Sequence, residues 1–113
     1  MSTETKTYNG WTNYETWNVA LWIDNEEGSY RYWRDTMRDL WDHAEAHPHE
    51  HWTRSEQARF TLADRLKNEL EESKPELGAS MWSDLLNAAL SEVNWNEIAG
   101  NWLAEIDGYE EAE

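Results

Sequence analysis

The sequence predicts an all-α fold, a compact irregular bundle of about five short helices packed around a buried, Trp-rich first helix. Three observations carry that prediction. Apolar residues recur at three- and four-residue steps in five successive stretches, which is the spacing of a helix face. Three of those stretches open on Thr or Asn followed three residues later by Glu, the pattern of a capping box or its Asn equivalent. No stretch alternates apolar and polar residues as a half-buried strand would, and there is no repeat at a fixed period.

The first helix organises the reading. Thr12 and Glu15 form its capping box, so it begins at Asn13. Over 14–23 the apolar residues Tyr14, Trp17, Val19, Ala20, Leu21, Trp22 and Ile23 go most of the way round. A helix apolar on most sides is normally enclosed by others, which places this one at the centre. Residues 24–28 are a polar break, and Ser29 is a suitable N-cap for a second helix. Its face is Tyr30, Trp33, Met37, Leu40, Trp41 and Ala44, and it fades near His47 because Pro48 disfavours helix in the residue before it. A polar loop over 47–52 follows. Thr53 and Glu56 cap a third helix whose stripe is Ala58, Leu62, Ala63, Leu66 and Leu70, ending near Glu72 ahead of Ser73-Lys74-Pro75.

Ser80 caps a fourth helix with the stripe Trp82, Leu85, Leu86, Ala89 and Val93, and Asn94 with Glu97 opens a fifth with Trp95, Ile98, Ala99, Trp102, Leu103 and Ile106. The pattern fits either two helices here or one bent helix. Gly108 suits the left-handed residue that closes a helix. Residues 1–8 are expected to be a short disordered N-terminus and 108–113 an acidic frayed tail.

At 113 residues the chain is expected to form a single domain, burying roughly two thirds of its unfolded surface. It has no cysteine, which removes disulfides, thiolate metal sites and thiol nucleophiles and fits a reducing compartment, here the cytoplasm of a host cell. The polar start and the lack of any run of about 18 apolar residues predict neither a cleavable signal nor a membrane partner. Twenty-four Asp and Glu against nine Lys and Arg give a net charge of −15. Phosphate binding is driven by clustered bases, so nucleic acid is not the expected direct partner. Residues 1–67 hold twelve acids and eight bases, whereas 68–113 hold twelve acids and Lys74 alone; the negative field belongs mainly to the C-terminal part.

Two segments carry a family resemblance. Tyr8-Asn9-Gly10-Trp11-Thr12-Asn13-Tyr14-Glu15-Thr16-Trp17-Asn18-Val19-Ala20-Leu21-Trp22 and Ala88-Ala89-Leu90-Ser91-Glu92-Val93-Asn94-Trp95-Asn96-Glu97-Ile98-Ala99 resemble a family of small acidic proteins encoded by phages, plasmids and some bacteria. Together they cover about a quarter of the chain. The resemblance implies a mobile-element origin and brings with it no catalytic residues.

Catalytic constellations are sparse. Trp17, Trp33, Trp41, Trp82, Trp95 and Trp102 fall on apolar stripes and read as core. Trp11 and Trp52 are less constrained, but a base-stacking platform comes with a basic groove that this chain lacks. Nothing in the spacing selects a pair of carboxylates for glycosidic cleavage. His43, His47, His49 and His51 lie close together, the first two four apart on one helix face, a spacing that can hold a transition metal. The HExxH pattern is absent, since Glu50 sits between His49 and His51, and short histidine tracts bind metal adventitiously at least as often as by selection. No metal or cofactor is assigned. With no Gly-x-Ser-x-Gly elbow, no Gly-rich phosphate loop and no cysteine, the chain is not expected to be an enzyme.

The acids are the main candidate for partner binding. Glu97 and Glu105 lie two turns apart opposite the fifth stripe, and Asp84 and Glu92 repeat this on the fourth. Such rows approach the phosphate spacing of about 3.4 Å of axis per strand. With Glu69, Glu71, Glu72, Glu76, Asp107, Glu110, Glu111 and Glu113 they would make a continuous negative face where helix packing brings them to one side, which the sequence leaves open. The expected function is that of a phage- or plasmid-type inhibitor that imitates DNA and fills the basic cleft of a host DNA-binding defence protein, either a restriction enzyme or a CRISPR effector. The alternative is a non-enzymatic interaction protein using an aromatic surface through Tyr8, Trp11 and Tyr30, either as a homodimer or docked on a partner. A third, narrower alternative is a metal-dependent hydrolase using the histidines.

Overall fold

Side-chain caps decide where the helices of this chain begin. In the computed structural model, which describes residues 8–110, the Glu56 N–H donates to Thr53 Oγ1 and the Thr53 N–H to Glu56 Oε1, each at 3.0 Å, the reciprocal capping box that the sequence predicts. Ser80 Oγ accepts from the Ser83 N–H at 3.1 Å, and Asn94 Oδ1 from the Glu97 N–H at 3.0 Å. The helices are α1 Tyr14–Asn25, α2 Glu27–Ala46, α3 Arg54–Glu72, α4 Met81–Ser91 and α5 Trp95–Leu103. The fold is all-α, and no strand occurs among the described residues beyond an isolated bridge between Tyr8 and Trp11. The fourth and fifth helices are separate, because Asn94 leaves helical geometry (φ −92°, ψ 89°) to cap the fifth.

Two helix starts differ from expectation. Asn13, not Thr12, caps α1: its Oδ1 accepts from the Thr16 N–H at 2.9 Å, while the Thr12 N–H donates to the Glu97 carboxylate at 3.2 Å. Glu26, not Ser29, caps α2, accepting from the Ser29 N–H at 2.7 Å. The Ser29 hydroxyl instead donates back to the Ile23 and Glu26 carbonyls at 2.9 and 3.0 Å. The break expected over 24–28 therefore contracts to Glu26, whose extended φ/ψ separates the two helices. The Ser29 N–H, and secondarily its hydroxyl, hold the Glu26 carboxyl below its ordinary pKa.

The core is built from Trp33, Met37, Trp41 and Ala44 of α2, Ala58, Leu62, Ala63 and Leu66 of α3, and Ile98, Ala99, Trp102 and Leu103 of α5. Ala20 and Ile23 of α1, with Val93 and Trp95, complete it. The short α5 is the most enclosed element, with Trp95, Ile98, Ala99, Gly100, Trp102 and Leu103 all buried. This corrects the expectation of a central first helix: α1 buries only Thr16, Ala20 and Ile23, and Tyr14, Leu21 and Trp22 are exposed. An apolar face is buried only where a neighbour covers it; α1 packs on α2 and α5, and its buried residues Thr16, Ala20 and Ile23 share one side of the helix. The expected α4 stripe is corrected for the same reason. Leu86 and Ala89 are half-covered, Trp82 and Leu85 are exposed, and no residue of α4 is buried.

Turns fix both ends of the described chain. Asn9 and Gly10 take positive φ (48° and 90°), and Tyr8 and Trp11 exchange N–H···O bonds of 2.9 and 2.7 Å across them. This is the two-residue reversal for which Asn-Gly is favoured. Tyr8, expected to be disordered, has its ring 5.2 Å from that of Tyr14 and 5.0 Å from that of Trp17; the rest of the expected N-terminal segment lies outside the described residues. At the other end α5 stops at Leu103, short of Ile106, and Gly108 turns the chain with φ +96°. Tyr109 then packs on Trp41 at 6.1 Å between ring centroids, and the Glu110 N–H donates to Ser55 Oγ at 2.8 Å. Residues 109 and 110 are thus docked rather than frayed, and Glu111 and Glu113 lie outside the described residues.

Candidate functional site

The segments that carry the family resemblance meet in space. The Asn94 N–H donates to the fully buried Thr16 hydroxyl at 2.9 Å, Asn13 Nδ2 to the Glu92 carbonyl at 2.7 Å, and the Thr12 N–H to the Glu97 carboxylate at 3.2 Å. These bonds tie the start of α1 to the joint between α4 and α5. From that joint α1 and α4 enclose a groove of about 200 Å³. One wall is Tyr14, Glu15, Asn18 and Val19, and the other is Leu86, Ala89 and Leu90, with Val93 below. Val93 alone of these is buried.

Beyond the lining residues both helices carry bare aromatics. Trp22 lies one turn beyond Asn18 and Val19 on α1, and Trp82 one turn before Leu86 on α4, positions that share the groove-facing sides of the two helices. Trp22 is 70% exposed and Trp82 64%, with Met81 at 61% and Leu85 at 56% beside the latter. Neither α1 nor α4 contains Lys or Arg. One carboxylate lines the groove, that of Glu15; the exposed Asp84 lies on the other face of α4 and the exposed Glu92 just after that helix. Lys74 donates to Asn87 Oδ1 at 2.7 Å in an adjoining cleft that shares Leu90 and Val93 with the groove and also holds Lys67 and Glu71.

The predicted partner-binding acids fall into three sets around the molecule. Glu69, Glu71, Glu72 and Glu76 crowd the end of α3, where Glu69 accepts from Arg65 Nε at 2.8 Å and from the Tyr32 hydroxyl at 2.9 Å. Asp84, Glu92 and Glu97 lie on α4 and at the joint with α5. Glu105 and Asp107 sit by α2, Glu105 at 3.7 Å from Arg34 Nε and Asp107 in a hollow with Arg38 and Asp42. Glu110 bonds to Ser55 at the start of α3, about 26 Å along that helix from Glu72 at 1.5 Å per residue. The two-turn pairing of Glu97 with Glu105 breaks because α5 ends at Leu103, and that of Asp84 with Glu92 ends at the C-cap of α4.

The other candidates are placed as follows. His43 and His47 have ring centroids 4.5 Å apart, whereas His49 stacks on Trp52 at 4.1 Å and its Nδ1 accepts from the His51 N–H at 2.9 Å. Among the described residues no three His, Asp or Glu groups converge on a metal position. Tyr30 lies under the Arg34 guanidinium at 4.4 Å, which also covers Trp102 at 4.8 Å, and Trp11 packs against the core. Tyr8, Trp11 and Tyr30 are thus engaged within the fold. The exposed Trp22, Met81, Trp82 and Leu85 were not singled out as a surface by the sequence reading. Their signal was the breadth of the fourth apolar arc: Met81, Leu85, Trp82, Leu86 and Leu90 span about 180° at 100° per residue, wider than the stripe of about 100° that a packed surface helix requires.

A family model, described as a family of unknown function (DUF7249), matches residues 4–108. The chain belongs to the DUF7249 family. The match takes in all five helices and the groove, including the hydrogen-bonded joint where its walls meet. No curated protein and no solved structure matches this DUF7249 chain.

Proposed function

We propose that this protein is a non-enzymatic binding protein that captures a basic partner protein. The observation that carries the proposal is the bare apolar side chains of Met81, Trp82 and Leu85 on α4 and of Trp22 on α1, two helices that bear acids and no base. Contiguous exposed apolar residues mark interaction surfaces, and Trp is enriched among residues that dominate binding energy. The net charge of −15 favours encounter with a basic surface and disfavours acidic ones.

The partner class that fits this charge is a host DNA-binding defence protein, with its nucleic-acid cleft as the surface met first. The likeness of 8–22 and 88–99 to phage and plasmid proteins supports an anti-defence role, in which the protein acts as an acidic competitor of DNA. The test is retention of purified restriction and CRISPR effector proteins on immobilised protein, with duplex DNA added in competition. Retention at low salt with release by duplex DNA is the expected outcome. Retention indifferent to both salt and DNA would contradict the proposal, as would no retention of any basic protein.

A further inference from the structure

Resting on that reading of a basic partner, we infer that the groove between α1 and α4 receives an amphipathic basic helix from the partner protein. The walls suit a helix. They are two helices joined at one end by hydrogen bonds from Asn13 and to Thr16 and carrying the bare Trp22 and Trp82 beyond the lining residues. The α4 wall from Trp82 to Ser91 runs about 14 Å at 1.5 Å per residue, two and a half helical turns. An apolar ridge with i, i+3, i+4 and i+7 spacing would lie along Val19, Leu86 and Leu90 and end at the two indoles, the arrangement of a helix held in a groove.

Charge selects the flanks of that helix. Glu15 stands in the α1 wall of the groove and α1 and α4 supply no base, while Lys67 and Lys74 belong to the adjoining cleft, where Asn87 accepts from Lys74. Lysine or arginine on the α1 side of the apolar ridge would face the Glu15 carboxylate as it settles, within the field of a chain of net charge −15. A second copy of this chain would bring another −15 to the same place, so the occupant is a basic segment of another protein.

The probe is a fluorescent, amphipathic Leu/Lys peptide of roughly 18 residues, about five turns of helix. It is compared with a peptide of identical composition whose order abolishes the apolar face, and binding is followed by anisotropy against the full chain and against Trp22→Ala, Trp82→Ala and Trp52→Ala. All three positions are exposed, and thermal unfolding of each variant checks the fold. The expected result is binding of the amphipathic peptide at least tenfold tighter than its scrambled form. Trp22→Ala and Trp82→Ala each weaken it about tenfold or more, and Trp52→Ala leaves it unchanged. Equal binding of the two peptides would overturn the groove assignment while leaving charge-driven capture of a basic partner intact. Failure of both peptides would overturn it too, and competition between a defence protein and duplex DNA would then decide separately whether the functional proposal stands. Concentration-dependent self-association in sedimentation, abolished by Trp82→Ala, would replace the partner helix with a second copy.

Discussion

Single polar groups fix the geometry on which the groove depends, and Thr16 is the clearest of them. Its hydroxyl is fully buried and accepts from the Asn94 N–H, so Thr16→Val leaves a backbone donor without its partner at nearly unchanged volume. The expected cost is about 1–3 kcal/mol in urea unfolding; an unchanged midpoint would show that this bond does not secure the joint. Glu26 acts through charge. Its folded-state pKa is lowered by Ser29, so its contribution is present above the unfolded-state value and is lost as pH falls through the depressed one. Glu26→Gln is therefore expected to flatten the acid limb of the stability–pH curve, measured by unfolding at successive pH values. The tryptophans show how much was legible at this scale. Trp33, Trp41, Trp95 and Trp102 are buried as their stripes predict, but Trp82 sits on an equally regular stripe and is exposed. Periodicity states which side of a helix is apolar and is silent on whether another element covers that side.

The same limit governs elements. Capping chemistry is local, so the starts of α3, α4 and α5 at Thr53, Ser80 and Asn94 were readable. The starts of α1 and α2 were misplaced because Thr12 and Ser29 each have another hydrogen-bond partner, Glu97 in one case and the Ile23 carbonyl in the other. The first of those is 85 residues away in sequence, beyond the reach of any local pattern. The central position of α5 was hidden for a related reason: its nine residues are enclosed through long-range packing, while the longer apolar run of α1 is left on the outside. α4, with no buried residue, is predicted to be the least stable helix. Its backbone amides should exchange with deuterium faster than those of α3 and α5; equal protection would mean that α4 unfolds only with the whole molecule. Substituting Trp82 and Leu85 together by Ser is expected to change stability by no more than about 0.5 kcal/mol, as for surface positions generally, whereas Leu66→Ala should cost about 2–5 kcal/mol.

Across the whole molecule, the acids behave as a field rather than as a single row. Glu69 and Glu105 lie beside Arg65 and Arg34, and the described acids otherwise spread round three sides. The helix-to-helix angles that decide such a distribution follow from core packing, which is why the sequence left open whether the acids of separate helices share one side. A net charge of −15 repels itself in the compact state, so stability should rise as salt shortens the screening length from about 30 Å at 0.01 M to about 8 Å at 0.15 M. Partner association should move the opposite way, slowing as salt rises. What distinguishes capture by the groove from attraction to the field at large is where protection falls on the chain. The most direct measurement is therefore hydrogen–deuterium exchange of the full chain with and without the amphipathic Leu/Lys peptide. Capture by the groove predicts new protection confined to 14–22 and 81–93. Protection centred on the acids at 69–76, or spread evenly over the surface, would contradict it.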